Sequence, residues 1–250
     1  MARFTRASAE KIARQLRCDP NFVLAVADVE SGGRSDLPDG RPQILFEAQW
    51  FHKLTGGLYD ETHPAISSPT WNKALYHGGA AEYDRLAEAE ALKHTAALKS
   101  ASWGLFQIMG FNFDRCDFSN VDDFVAFLKG PDDNDMEAFI RFVMADQRML
   151  HAVQVKDSFT FALLYNGPGQ TDYYKGKIDA SLAAFAAGAD VHQVSDIAAI
   201  QTKLGIPADG VWGPQTHDAV IAYQRAHGLT PDGIVGPMTR EALHLEMIAA

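Results

Sequence analysis

The stretch DPNFVLAVADVESGG, residues 19–33, is the part of the sequence that decides the fold. Asp19 followed by Pro20 predicts a helix start, because an aspartate caps free backbone amides and proline suits the first helical position. Gly32 and Gly33 follow the apolar run and are typical of a helix end. The stretch therefore predicts one short, largely apolar helix between these two signals.

Glu30 places a carboxylate on the apolar face of this predicted helix. At about 100° per residue it falls within about 20° of Val23 and about 40° of Val26, whereas Asp28 points to the other side. Partial burial and the negative end of the helix dipole both disfavour a charged carboxylate, so we expect a raised pKa. Such a carboxyl group can protonate a glycosidic oxygen near neutral pH. The alternative is an exposed glutamate in the last helical turn beside a glycine stop.

Two other segments combine aromatic residues with side chains that can bind a sugar. The segment SASWGLFQIMG contains Ser102 and Gln107, and the segment FALLYNGPG contains Tyr165 and Asn166. Each has a plainer interpretation. The first can be a helix start packed by aromatic residues, and Asn-Gly-Pro in the second is also a helix terminator.

Glu47 lies inside the apolar run QILFEAQWF, residues 43–51. An unpaired carboxylate is costly in apolar surroundings, so the residue needs a function or a partner. A structural ion pair with one of the arginines is the alternative to a catalytic role.

Most of the first 188 residues have helical patterns. Residues 78–99 are rich in helix formers and predict one long helix, and residues 133–153 have a helical apolar stripe. Residues 31–70 are rich in Gly, Pro, Asp and Ser, which favours loops and allows a short β-element. The prediction is a mainly α fold with at most a small sheet.

A repeat marks a second domain near the C-terminus. DGVWGPQT, residues 209–216, returns as DGIVGPMT, residues 232–239. Asp-Gly suits a tight turn and Gly-Pro suits a helix start, so the repeat predicts three short helices in a bundle. We expect domains at residues 1–188 and 194–250. Ser195 is also predicted to cap the first of these helices, and Gly205 to end it. Four residues of the repeat are predicted to form turns: Asp209, Gly210, Asp232 and Gly233.

Composition excludes several kinds of protein. The formal charge is −10, from 22 Lys and Arg against 32 Asp and Glu, which disfavours binding to nucleic acid or a stable membrane association. No apolar run has the length of a membrane span, and the basic N-terminal residues 1–16 lack the apolar core of a secretory signal. The two cysteines, Cys18 and Cys116, are too few for a disulfide framework. The nine histidines form no known zinc motif, so we expect no metal and no cofactor.

Taken together, VESGG, ILFEAQWF, SASWGLFQIMG and YNGPG resemble the catalytic domain of modular phage endolysins of the N-acetylmuramidase type. That domain is related to the lysozyme and lytic-transglycosylase superfamily. The resemblance implies a lysozyme-like fold in which Glu30 is the catalytic glutamate and Glu47 a second carboxylate. It also implies four substrate-binding residues: Ser102, Gln107, Tyr165 and Asn166. The C-terminal repeat resembles the three-helix peptidoglycan-binding module often fused to such enzymes.

The resemblance implies a muramidase that hydrolyses the β-1,4 bond between N-acetylmuramic acid and N-acetylglucosamine, for host lysis. Its partner would be peptidoglycan, and we expect a monomer. It would be made in the host cytoplasm and act after release through a separate membrane-permeabilising protein. Three alternatives stay open: a lytic transglycosylase that leaves anhydro ends, a zinc amidase or peptidase, and a non-catalytic wall-binding protein.

Overall fold

The computed structural model describes residues 4–131, 133–188, 197–208, 214–231, 233, 235 and 237–245. The described chain is mainly helical, as the sequence predicts. The α-helices are α1 (Arg6–Leu16), α2 (Pro20–Ser31), α3 (Ala48–Thr55), α4 (Ala81–Lys99), α5 (Val121–Leu128), α6 (Asp133–Met144), α7 (Gln147–Val155), α8 (Ser158–Tyr165), α9 (Thr171–Ala186), α10 (Ile197–Leu204), α11 (Pro214–Ala226) and α12 (Pro237–Ala242). The strands are β1 (Ile44–Phe46), β2 (Ala101–Trp103) and β3 (Ile108–Met109). Among these helices none is both long and apolar enough to cross a membrane.

The chain folds as two compact units. We call Arg34–Gln147 the sheet unit, because it contains all three described strands. We call Phe4–Gly33 together with Arg148–Ala250 the helical unit. The domain boundary expected between residues 188 and 194 remains a prediction.

Helix α2 forms the core of the helical unit. Its predicted start is confirmed, since the Asp19 side chain accepts a hydrogen bond from the Asn21 amide at 2.9 Å. Six consecutive residues, 22–27, are fully buried, and α2 packs against α1 and α9. It ends at Gly32, whose φ of 64° suits glycine. Burial on every side of the helix up to its last turn places Glu30 at the edge of the core.

The sheet unit is built around a small antiparallel sheet. The strand order is β1-β2-β3, with Ile44 opposite Trp103 and Ser102 opposite Met109. Strand β1 confirms the short β-element allowed by the sequence. The segment SASWGLFQIMG is a β-hairpin, so its interpretation as a helix start is wrong. The turn of this hairpin needs glycine, because a Cβ at Gly104 would lie 1.8 Å from Asp135 Oδ1.

Two predicted helices are interrupted. Helix α4 has a non-helical residue at Lys93, with φ −155° and ψ 82°, so the expected single helix is kinked. The predicted stripe over residues 133–153 is divided between α6 and α7. Three and four residues after Val143, the same helical face would present Asp146 and Gln147, which are polar. The apolar face therefore does not continue there.

The C-terminal repeat forms three helices, as predicted. Helices α11 and α12 begin at Pro214 and Pro237, and α10 ends before Gly205, whose φ is 71°. Gly233, with φ 72°, has the conformation expected of a turn former. The other predicted cap and turn residues lie outside the described residues: Ser195, Asp209, Gly210 and Asp232.

Each copy of the repeat also contains a buried glutamine–threonine hydrogen bond. Gln201 Nε2 donates to Thr216 Oγ1 at 2.9 Å, and Gln224 Nε2 donates to Thr239 Oγ1 at 3.2 Å. All four side chains are buried, where an unsatisfied amide would be costly. The repeat therefore extends backward from the turn into the preceding helix.

Candidate active site

Glu30 lies in the last turn of α2, and its side chain is half-buried. Asn166 Nδ2 donates a hydrogen bond to Glu30 Oε1 at 2.9 Å. Burial raises the pKa of Glu30 to about 7, and the hydrogen bond from Asn166 opposes this rise because it favours the charged form. The predicted direction of the pKa shift is confirmed. At neutral pH, Glu30 is poised between its protonated and ionised forms.

Asn166 is held at the end of α8. Its backbone N–H donates to Ala162 O at 2.9 Å, so the residue continues the helical hydrogen bonding. The preceding Tyr165 stacks on Phe161 with ring centroids 4.9 Å apart, and Phe161 packs edge-on against Phe22 of α2 at 5.4 Å. This aromatic contact packs α8 against α2, and Asn166, directly after α8, reaches Glu30.

Glu47 lies in the sheet unit, between β1 and α3. Its backbone N–H donates to Ser100 O at 2.9 Å, and its half-buried carboxylate accepts a hydrogen bond from the Tyr76 hydroxyl. Burial raises the pKa of Glu47, while Tyr76 and the positive charge of Arg85 oppose that rise. Glu47 is thus a partly desolvated carboxylate with a neutral hydrogen-bond donor.

The arginine beside Glu47 makes its ion pair elsewhere. Arg85 Nη1 lies 2.7 Å from Glu82 Oε2, and both side chains are buried. The closest polar contact of Glu47 is therefore the Tyr76 hydroxyl and not an arginine, in contrast to the simple ion pair considered from the sequence. Sequence reasoning missed Tyr76, Glu82 and Arg85. Glu82 and Arg85 are three positions apart in a helix-rich stretch, a spacing that is also typical of an exposed pair.

Ser102 and Gln107 meet within the hairpin. Ser102 Oγ donates to Gln107 Oε1 at 2.8 Å, and Gln107 Nε2 donates to Gly104 O at 2.8 Å and Gln43 O at 3.2 Å. Gln107 has a positive φ of 48°, which is uncommon for a residue with a side chain. Both side chains thus stabilise the turn that carries them.

The site residues predicted from the sequence form three local groups. Glu30 joins Asn166 in the helical unit, whereas Ser102 joins Gln107 and Glu47 joins Tyr76 in the sheet unit. Within the described residues, no three His, Cys, Asp or Glu side chains are grouped to hold a metal ion.

A mainly helical fold with a small sheet and a glutamate of raised pKa is the arrangement of a lysozyme-like glycoside hydrolase. Residues 19–186 match the N-acetylmuramidase family, and residues 194–243 match a peptidoglycan binding domain. The chain belongs to the N-acetylmuramidase family. It is a peptidoglycan hydrolase with a peptidoglycan-binding domain toward its C-terminus.

A solved structure supports the same conclusion. The chain in the crystal structure of Burkholderia AP3 phage endolysin shares 37% sequence identity with this chain, and the two structures have a TM-score of 0.63. The similarity covers 73% of this chain and 70% of that chain. No curated protein matches the chain.

Proposed function

We propose that the protein is an endolysin in which Glu30 is the general acid for cleavage of the muramyl β-1,4 bond. The contact between Glu30 and Asn166 supports this role most directly. With a pKa of about 7, Glu30 carries a proton over much of the neutral range and can still release it. Family membership and the likeness to a phage endolysin support the substrate and the role in host lysis.

In the first step, Glu30 transfers its proton to the glycosidic oxygen while the bond from that oxygen to the sugar's anomeric carbon breaks. Positive charge develops on the sugar ring, as in other glycoside hydrolases. Glu30 becomes a carboxylate at the same time, and the N–H of Asn166 donates to that new charge. This hydrogen bond is stronger to the anion than to the neutral acid, so it favours proton transfer.

In the second step, water adds to the anomeric carbon and loses a proton. Glu47 is our candidate for the carboxylate that activates this water, because Tyr76 and Arg85 favour its ionised form. Ser102, Gln107, Tyr165 and Asn166 are our candidates for contacts to the sugar. Ser102 and Gln107 form a hydrogen bond with each other. They would therefore contact the sugar through the lone pairs that this bond leaves available, and they would also hold the hairpin backbone in position beside it.

Residues 194–250 would act as a separate wall-binding domain, and residues 1–188 as the catalytic domain. The match of residues 194–243 to a peptidoglycan binding domain supports this division. We further propose that the protein is a monomer and that it reaches the wall through a separate membrane-permeabilising protein.

Mass spectrometry of digested peptidoglycan tests the reaction. Hydrolysis adds one water for each bond cleaved and leaves reducing muramic acid ends. Products with anhydro-muramic ends, lacking that water, would instead identify a lytic transglycosylase and remove the need for a water-activating carboxylate.

A further inference from the structure

The Tyr76 hydroxyl donates its hydrogen bond directly to Oε2 of Glu47. We propose that Tyr76 is a positioning residue that holds the Glu47 carboxylate for reaction, and that a buried ion pair holds both residues. The inference rests on the role proposed above for Glu47.

The loop that carries Tyr76 is tied to α4. Tyr76 follows a 3₁₀ turn at Lys73–Leu75, and the next two backbone amides, of His77 and Gly78, donate to Glu82 Oε1 at 2.7 and 2.9 Å. Glu82 is fully buried, so the acceptor end of these hydrogen bonds is shielded from water. The Tyr76 backbone is therefore fixed on its C-terminal side.

The same ion pair fixes the backbone beside Glu47. The Phe46 amide donates to Glu82 Oε2 at 3.2 Å, and Arg85 Nη1 donates to Phe46 O at 2.9 Å. Phe46 directly precedes Glu47. The buried Glu82–Arg85 pair thus binds the backbone next to Tyr76, at His77, and the backbone next to Glu47, at Phe46. These contacts limit the relative motion of Tyr76 and Glu47.

The surrounding charges explain why a tyrosine suits this position. Glu47 faces the positive charge of Arg85 and the negative charge of Glu82, both from α4, and the hydroxyl of Tyr76. Burial and the adjacent carboxylate raise the pKa of Tyr76, so its hydroxyl stays protonated. A hydroxyl donor favours the carboxylate form of Glu47 without adding a charge, and it fixes which oxygen remains for water.

The test compares Tyr76→Phe with Tyr83→Phe in the full chain. Tyr83 is a matched control, because it is also half-buried in the sheet unit but donates its hydroxyl to Pro42 O at 2.9 Å. We expect Tyr76→Phe to lower kcat about tenfold and to move the acidic limb of the kcat/KM profile upward by about one pH unit. The basic limb should stay, and Tyr83→Phe should leave both limbs in place.

Carbon-13 NMR titration of the side-chain carboxyl groups gives a readout that does not need activity. The pKa of Glu47 should rise in Tyr76→Phe and stay constant in Tyr83→Phe. An unchanged pKa of Glu47 would overturn the positioning role. So would a Tyr76→Phe variant that only melts at a lower temperature and keeps the wild-type pH profile per folded molecule.

Glu47→Gln separates this inference from the function on which it rests. If Glu47→Gln keeps full turnover, Glu47 is not the second carboxylate and the proposed mechanism is wrong, whatever NMR shows for Tyr76. If Glu47→Gln lowers turnover about 100-fold and leaves a measurable rate, Tyr76→Phe should cost little more in that background, because its effect passes through Glu47. A full additional tenfold loss in the double variant would contradict a role through Glu47.

Discussion

Asn166 donates a hydrogen bond from its side-chain amide to Glu30 Oε1 at 2.9 Å, although the two residues are 136 positions apart in the chain. The donor opposes the effect of burial, so the pKa of Glu30 is about 7 and not higher. This balance is useful for an acid catalyst, which must hold a proton in the resting enzyme and release it during each turnover.

Removing the amide should shift the pH dependence of the reaction. Asn166→Ala removes a hydrogen bond that lowers the pKa of Glu30, so that pKa rises and Glu30 stays protonated to higher pH. We expect the basic limb of kcat/KM to move upward by about one pH unit, measured on soluble glycan. Asn21→Ala is the control, because its side chain accepts from Arg6 at an exposed position. A basic limb that stays in place in Asn166→Ala would contradict the assignment of that limb to Glu30.

The raised pKa of Glu30 also predicts a cost in stability. A carboxyl group whose pKa rises from 4.5 when unfolded to about 7 when folded favours the native state fully below pH 4.5. That contribution is lost as the pH rises through about 7. Between pH 4.5 and pH 8.5, the unfolding free energy of Glu30→Gln should therefore rise by about 1–3 kcal/mol relative to that of the wild type. The width of this energy range allows for solvent screening. Urea unfolding of both proteins at the two pH values measures this change. If the difference in unfolding free energy between variant and wild type is the same at both pH values, burial does not raise the pKa of Glu30.

Glu47→Gln should cost turnover more than stability. If Glu47 activates water, the amide cannot accept the proton, and we expect turnover to fall at least about 100-fold on soluble glycan. Glu137→Gln is the matched control, since Glu137 pairs with Arg141 at 2.9 Å on the surface of the same unit. A Glu47→Gln variant with a lower melting temperature and unchanged turnover per folded molecule would make Glu47 a structural residue.

The wall-binding domain should matter only on an insoluble substrate. A chain that ends at Gly188 should keep its turnover on short soluble glycans and lose activity on whole sacculi. The reason is that only residues 189–193 are expected between the two domains, and so short a connection raises the effective concentration of substrate near the catalytic domain to about millimolar. Circular dichroism of the shortened chain is the control for folding. Equal rates of the two chains on sacculi would contradict an anchoring role.

The sequence predicts the local environment of Glu30 well, because helical periodicity alone places it on the apolar face of α2. Capping and turn chemistry likewise predict the starts of α2, α11 and α12. These are local properties, determined by neighbours within a few positions. The partner of Glu30 is not local, and only the resemblance to a family directs attention to Asn166.

The surroundings of Glu47 are harder to predict for a related physical reason. Glu82 and Arg85 lie in a stretch of helix formers where an exposed ion pair is the usual expectation, and only the tertiary fold buries them. The hairpin around Ser102 and Gln107 is missed because its two strands are only three and two residues long. Such short strands have too few residues for an alternating pattern to stand out.

The turnover of purified Glu30→Gln on soluble peptidoglycan fragments at pH 6 tests the central claim most directly. Glutamine keeps the shape of the side chain and can still contact Asn166, but it has no proton to donate. We predict a loss of at least about 100-fold with a folded protein, as judged by circular dichroism and a cooperative thermal transition. A folded Glu30→Gln variant that keeps a tenth or more of wild-type turnover, well short of the loss of about 100-fold that is the smallest expected for a general acid, would show that Glu30 is not the acid.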